Sequence, residues 1–237
     1  MSSKIRNILI AFLLVAIVVT FHIVRRNATV RGLETVVIAD DRSVLLTSDE
    51  VDSILIAQFP TLLKSDIKDI DCEDIEAFLD QHPYVLQSEA KMTMGGVLTV
   101  TVWQRKPVVR AFYRDKEFYI SRQKTVMPLS DNHYCHIIVG SGDADKYLDK
   151  IWKLSSFLSD NPKYGDVFDQ VYVNNKGDLY LVPKLGRLTI EVGDTTQLDT
   201  KFRNLWTFFD QGVNQVGWDT YKAISLKYRG QVVCTKR

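Results

Sequence analysis

The stretch YVLQSEAKMTMGGVLTVTVW, residues 84–103, contains two runs typical of β-strands on either side of a glycine pair. Gly95 and Gly96 suit the positive φ angles of a hairpin turn, because glycine has no Cβ that would clash there. The stretch therefore predicts a β-hairpin with strands over Tyr84–Met92 and Val97–Trp103.

Two helices and a strand are predicted before this hairpin. Thr47 and Glu50 have the spacing of a capping box, and the apolar residues after them recur at helical spacing. Asp71 is the predicted N-cap of a second helix. A β-branched strand over Leu33–Ala39 precedes both helices. The order strand, helix, helix, strand, strand predicts a small α+β unit with both helices on one face of a three-stranded sheet.

A second domain is predicted to follow, because Pro107 cannot donate a hydrogen bond within a continuing central strand. Residues 104–237 are expected to form a mixed β domain with flanking helices, so the fold class of the chain is α+β. Helices are expected over about Asp143–Ser159 and from about Thr196. The helix from about Thr196 carries an apolar stripe that is expected in the core: Leu198, Phe202, Leu205, Trp206 and Phe209. Strands are expected over 108–113, 117–120, 167–173, 178–182 and 187–192, with a terminal pair over 223–228 and 231–235 about a tight Arg229-Gly230 turn.

One segment is apolar enough to cross a bilayer, residues 8–24, and residues 1–7 form a short tail before it. A cleaved signal peptide is the alternative, since Lys4 and Arg6 precede the apolar run. Arg25 and Arg26 follow the run at once, and the small residues that a signal peptidase needs are absent there. We therefore expect an uncleaved anchor. The basic residues on its two flanks are balanced, but long domains are translocated largely regardless of charge, so we expect the N-terminus inside and the folded part outside.

Charge and cysteine content exclude two classes of protein. All 29 acidic residues and 26 of the 30 basic residues follow Arg26, so the folded part has a net charge of −3. This charge argues against nucleic acid as a partner. Cys72, Cys135 and Cys234 are an odd number of widely spaced thiols, so a disulfide framework is not expected to hold the fold.

No motif in the chain predicts a catalytic centre. His133-Tyr134-Cys135-His136 offers zinc ligands without a second cluster, so a loop leading into a strand is expected there. GSGDAD, residues 140–145, lacks the endings of a phosphate loop and of a calcium loop, and is expected to be a flexible loop before a helix. There is no G-x-S-x-G motif and no histidine after His136. We therefore expect no enzyme activity, no metal and no cofactor.

Several stretches resemble the FtsQ/DivIB family of bacterial cell-division proteins. They are HPYV at 82–85, GVLTVTV at 96–102, QRKPV at 104–108 and, most specifically, ISLKYRGQVV at 224–233. The sequence departs from the family pattern at Gln104 and Ser121, where the family has glutamate and aspartate. Ser225 and Lys227 stand in place of the aspartate and arginine of the terminal pattern.

This resemblance implies a domain order and a location. The order is a cytoplasmic tail, a transmembrane helix, a POTRA domain over residues 28–103 and a C-terminal β domain. The main part of the chain would lie outside the bacterial inner membrane at the division septum. The protein would be a non-enzymatic scaffold that links early to late division proteins.

The resemblance also implies partners and a binding site. The partners would be single-pass proteins of the FtsB/DivIC and FtsL kinds, bound at the terminal strand. A last strand leaves backbone N–H and C=O groups unpaired, and a partner segment can add to such an edge. The expected contact residues are Tyr228, Arg229, Gly230, Gln231 and Val233. The strand Leu33–Ala39 is a second candidate edge, through which the POTRA domain would bind other division proteins.

Two other classes of function fit the sequence less well than a scaffold. An anchored regulator of the anti-sigma kind would need a substantial cytoplasmic domain, and residues 1–7 are too short to form one. An anchored envelope hydrolase would need a catalytic constellation that the motifs above do not supply. Loss of an activity on changing His136 or one carboxylate to alanine would favour the hydrolase.

Overall fold

A computed structural model describes residues 10–20, 28–40, 42–113, 116–184, 187–213, 217 and 220–237. The chain divides into two compact units, residues 1–39 with 46–104, and residues 40–45 with 105–237. Helix α1 covers residues 10–20. Within the described ranges, no helix is both long and apolar enough to cross a membrane. The rest of the predicted anchor over residues 8–24 lies outside the described residues.

After α1, the first unit contains a three-stranded sheet and two α-helices, in the predicted order. Strand β3 lies in the centre of the sheet, parallel to β1 and antiparallel to β2. Alternate residues of β3 are buried together with apolar side chains of both helices, so one face of the sheet forms the core. The elements are β1 (Gly32–Ile38), α2 (Ser48–Gln58), α3 (Cys72–Leu79), β2 (Val85–Met92) and β3 (Val97–Gln104), with short 3-10 helices at Leu62–Lys64 and Ile67–Asp69.

Local signals for the two helices are confirmed. The backbone N–H of Glu50 donates to the Thr47 hydroxyl, and the Glu50 carboxylate accepts from the Thr47 backbone N–H. The Asp71 carboxylate accepts hydrogen bonds from the backbone N–H groups of Glu73 and Asp74. Each cap satisfies N–H groups that have no partner within the helix itself.

Replacing Asp71 by alanine is expected to lower the free energy of unfolding by about 1 kcal/mol, because two N–H groups at the start of α3 lose their acceptor. Urea denaturation followed by circular dichroism measures the change. Asp69→Ala is the matched control, since the nearby Asp69 side chain is not the cap of α3. Equal losses in the two variants would contradict the capping role.

The second unit is built on a nine-stranded sheet with the order β12-β11-β10-β9-β8-β7-β4-β5-β6. Two longer helices and one short helix accompany it, as expected for a β domain with flanking helices. The strands are β4 (Pro107–Tyr113), β5 (Lys116–Ser121), β6 (Val126–Met127), β7 (Val139–Gly142), β8 (Phe168–Val173), β9 (Leu179–Pro183), β10 (Thr189–Gly193), β11 (Tyr221–Ser225) and β12 (Val233–Lys236). The helices are α4 (Ala144–Asp160), α5 (Pro162–Gly165) and α6 (Leu198–Phe208), and a π-helical turn follows at Phe209–Val213.

The expectation of a flexible loop over residues 140–145 is wrong. Gly140, Ser141 and Gly142 belong to β7, which pairs in parallel with both β4 and β8. A Cβ on Gly140 would lie 2.6 Å from Cγ2 of Ile151, so glycine lets α4 pack directly on the strand. The small residues that suggested a loop are therefore required by close helix–sheet packing.

One face of this sheet carries the core of the unit. Phe202 and Leu205 of α6 are fully buried there, as the predicted apolar stripe requires. Leu198 and Trp206 are half-buried against the same cluster. The opposite face, here called the open face, carries half-exposed polar and aromatic side chains, among them Tyr172, Tyr180, Glu191 and Ser225.

Candidate partner-binding edge

Strand β12 is the last strand at one side of the nine-stranded sheet. It pairs with β11 in antiparallel register, and β11 pairs in parallel with β10. On its outer side, β12 has no strand partner among the described residues. Backbone groups along such an edge are available to an added strand.

The hydrogen-bond directions identify which residues of β12 face outwards. The Arg237 backbone N–H donates to the Thr220 carbonyl, so Arg237 faces β11. Along an antiparallel strand, the backbone N–H and C=O groups of successive residues point alternately to one side and the other. Val233 and Thr235 therefore also direct these groups towards β11. The N–H and C=O groups of Cys234 and Lys236 therefore point away from the sheet and form the outer edge.

The expected tight turn at Arg229-Gly230 is confirmed, since the Gln231 N–H donates to the Tyr228 carbonyl at 3.2 Å, but the expected extent of the strands beside it, 223–228 and 231–235, is wrong. Strand β11 ends at Ser225 and β12 begins at Val233, and residues 226–232, here called the terminal loop, join them. Leu226 is buried, and its N–H donates to the Glu191 carbonyl, so the chain continues along β10 before it turns. The local Arg-Gly signal gave no indication of this pairing.

The structure brings the five predicted contact residues together in the terminal loop and at the start of β12. Tyr228 is 57% exposed in the terminal loop, and Val233, 41% exposed, begins β12. Arg229, Gly230 and Gln231 are exposed between them, and Gly230 has a positive φ of 72°. Neither Tyr228 nor Val233 is a core residue, so both side chains are accessible.

A groove of about 240 Å³ lies beside the terminal loop. Its other wall contains Asp194 and Lys201, which the sequence did not single out. The Lys201 ammonium donates to the Val192 and Asp194 carbonyls at 3.0 and 2.9 Å and contacts the Asp194 carboxylate at 2.6 Å. The hydrogen bond from Lys201 lowers the pKa of Asp194 to about 2. These contacts fix the wall that faces Tyr228.

The two departures in the terminal pattern both make internal contacts on the open face. The Ser225 hydroxyl donates to the Glu191 carboxylate at 2.7 Å. The Lys227 ammonium donates to the Asp178 carboxylate at 3.0 Å and lies 3.7 Å from that of Glu191. The hydrogen bond to Asp178 raises the pKa of Lys227. Asp178 lies 49 positions before Lys227 in the sequence, so no local pattern indicates this contact.

The first unit has an edge of its own at β1. Its strand pairs only with β3 in the described part of the chain. Val36 and Ile38, 52% and 47% exposed, lie on the sheet face opposite the core. The buried Thr35 hydroxyl on the core side has no hydrogen-bond partner among the described residues. The second predicted edge is therefore accessible along its backbone and carries exposed apolar side chains.

The histidine-rich segment precedes β7 in a loop. Cys135 is buried, and burial raises the pKa of its thiol to about 11. A thiol of this kind stays protonated at neutral pH and is a poor metal ligand. Within the described ranges, no group of three or more histidine, cysteine, aspartate or glutamate side chains is placed to hold a metal ion.

These features define a class of protein: a POTRA-like unit followed by a β unit whose strand β12 has no partner on its outer side in the described part of the chain. Residues 30–103 match the model of a POTRA-like domain, and residues 106–235 match the model described as FtsQ/DivIB, C-terminal related. No curated protein matches the chain. Because the second match covers more than half of the chain, the protein belongs to the FtsQ/DivIB family, whose members are non-enzymatic division proteins.

Proposed function

We propose that this protein is a scaffold of the division machinery that binds extracytoplasmic segments of FtsB/DivIC-like and FtsL-like single-pass proteins. The partner segment adds as a strand to β12 and packs against the terminal loop. The open outer edge of β12, beside exposed Tyr228 and Val233, is the observation that carries this proposal. Family membership supports a role in division.

The proposal includes a location and a second contact. Residues 8–24 anchor the chain in the bacterial inner membrane, with residues 1–7 in the cytoplasm and the two units outside, at the septum. Through the β1 edge of its POTRA-like unit, the protein binds further division proteins and so links early to late ones. The exposed Val36 and Ile38 support this second contact.

Replacing Tyr228 by alanine is expected to weaken binding to a purified complex of FtsB/DivIC-like and FtsL-like proteins by about tenfold or more, because exposed tyrosines at interface centres are common hot spots. The intact chain in lipid nanodiscs is titrated with the complex and the Kd compared. Tyr172→Ala is the matched control, since Tyr172 is 43% exposed on the same unit but lies on β8. If neither Tyr228→Ala nor Tyr172→Ala changes the Kd for the complex, the contact lies elsewhere.

A further inference from the structure

The start of the terminal loop is held by a polar network that crosses the open face. The Glu191 carboxylate accepts from the Ser225 hydroxyl at 2.7 Å and from the Tyr180 hydroxyl at 3.4 Å. Its backbone carbonyl accepts from the Leu226 N–H at 2.8 Å. One residue of β10 therefore fixes both the end of β11 and the first residue of the loop.

Asp178 extends this network to the turn between β8 and β9. Its carboxylate accepts from the Lys227 ammonium, and its backbone N–H donates to Asn174 Oδ1 at 2.9 Å. The backbone N–H of Lys176 donates to the same oxygen, so the turn that carries Asp178 is itself fixed. The carboxylate that binds Lys227 is thus carried by a turn with hydrogen bonds of its own.

The Lys227 side chain lies across the sheet between these carboxylates. A Cβ on Gly193 would lie 3.2 Å from Cγ of Lys227, so the lysine stem passes over this glycine. The side chains of Asp178 and Glu191 are only 22% and 27% exposed, which shields the ion pairs in part from solvent. Lys227 directly precedes Tyr228, so the position of Lys227 constrains where Tyr228 lies in the terminal loop.

We infer that Asp178 and Glu191 are positioning residues for the terminal loop, and that Lys227 acts through them rather than by contacting the partner. This inference rests on the proposed function, because its consequence is measured as partner affinity. It assigns to Lys227 an internal role that its position next to the predicted contact residues does not indicate.

A double-mutant cycle tests the inference. Lys227→Met and Asp178→Asn each remove one end of the ion pair and are each expected to raise the Kd for the partner complex about threefold to tenfold, with the double variant no worse than either. Hydrogen exchange of residues 226–232 in the free protein should quicken in both single variants. Lys227→Arg keeps the positive charge and should keep the affinity of the unmodified chain. Lys222→Met is the matched control, because Lys222 is an exposed lysine of β11.

The outcomes separate this inference from the proposed function. If Lys227→Met weakens binding while Asp178→Asn changes neither affinity nor exchange, Lys227 contacts the partner itself and the positioning role is overturned. If the unmodified chain binds no partner, the proposed function fails. Hydrogen exchange in the free protein then still shows whether the network holds the terminal loop. Exchange of residues 226–232 that is unchanged in Lys227→Met and Asp178→Asn would overturn the positioning role as well.

Discussion

A chain that ends at Gln231 is expected to bind the FtsB/DivIC-like and FtsL-like complex at least about a hundredfold more weakly than the intact protein, a loss of about 3 kcal/mol. The truncation removes β12 and with it the backbone edge that the partner strand needs. It also frees the far end of the terminal loop, so Tyr228 loses its fixed position. Titration of both chains in nanodiscs measures the loss.

A chain that ends at Lys236 is the control for this truncation, because it keeps all of β12. It is expected to bind about as well as the intact protein. Far-ultraviolet circular dichroism and the unfolding midpoint should show that the shorter chain is folded. Equal affinity of a folded chain ending at Gln231 would contradict a binding role for β12.

Replacing Cys234 by proline is expected to weaken partner binding by about tenfold or more, although proline removes only one backbone N–H group. That N–H faces outwards, so its loss should spare the pairing of β12 with β11. The proline ring also occupies the space where a partner strand would pair. The Kd is measured as for the truncation, and the unfolding midpoint is measured in parallel.

Cys234→Ala separates the backbone effect from the loss of the thiol. The half-buried Cys234 side chain packs against the core of the unit, so both variants lose that contact. Only the proline variant loses the outward N–H group. Similar affinities for the proline and alanine variants would mean that the partner does not pair with β12 at this position.

The first unit could be predicted largely from the sequence, because its signals are local. The capping box at Thr47 and Glu50 and the N-cap at Asp71 lie within three residues of the groups they bond. Gly96, with a φ of 82°, likewise stands inside the turn that it permits. Signals of this kind need no knowledge of distant parts of the chain.

The second unit depends on contacts that the sequence does not reveal. Strand β7 is short and rich in glycine, and its place is set by Ile151 and by strands on both sides. The extent of the terminal loop depends on pairing between Leu226 and Glu191, which are far apart in sequence. Propensity in a short window cannot register either contact. The residues of the candidate site could be named, but not the network that holds them.

Hydrogen exchange of the intact protein in nanodiscs, with and without the FtsB/DivIC-like and FtsL-like complex, tests strand addition at β12 most directly. The partner should slow exchange strongly at the outward-facing amides of Cys234 and Lys236, because they gain hydrogen bonds only in the complex. The inward-facing amides of Val233 and Thr235 should change much less. Tight binding of the complex without slower exchange at Cys234 and Lys236 would contradict the proposed function.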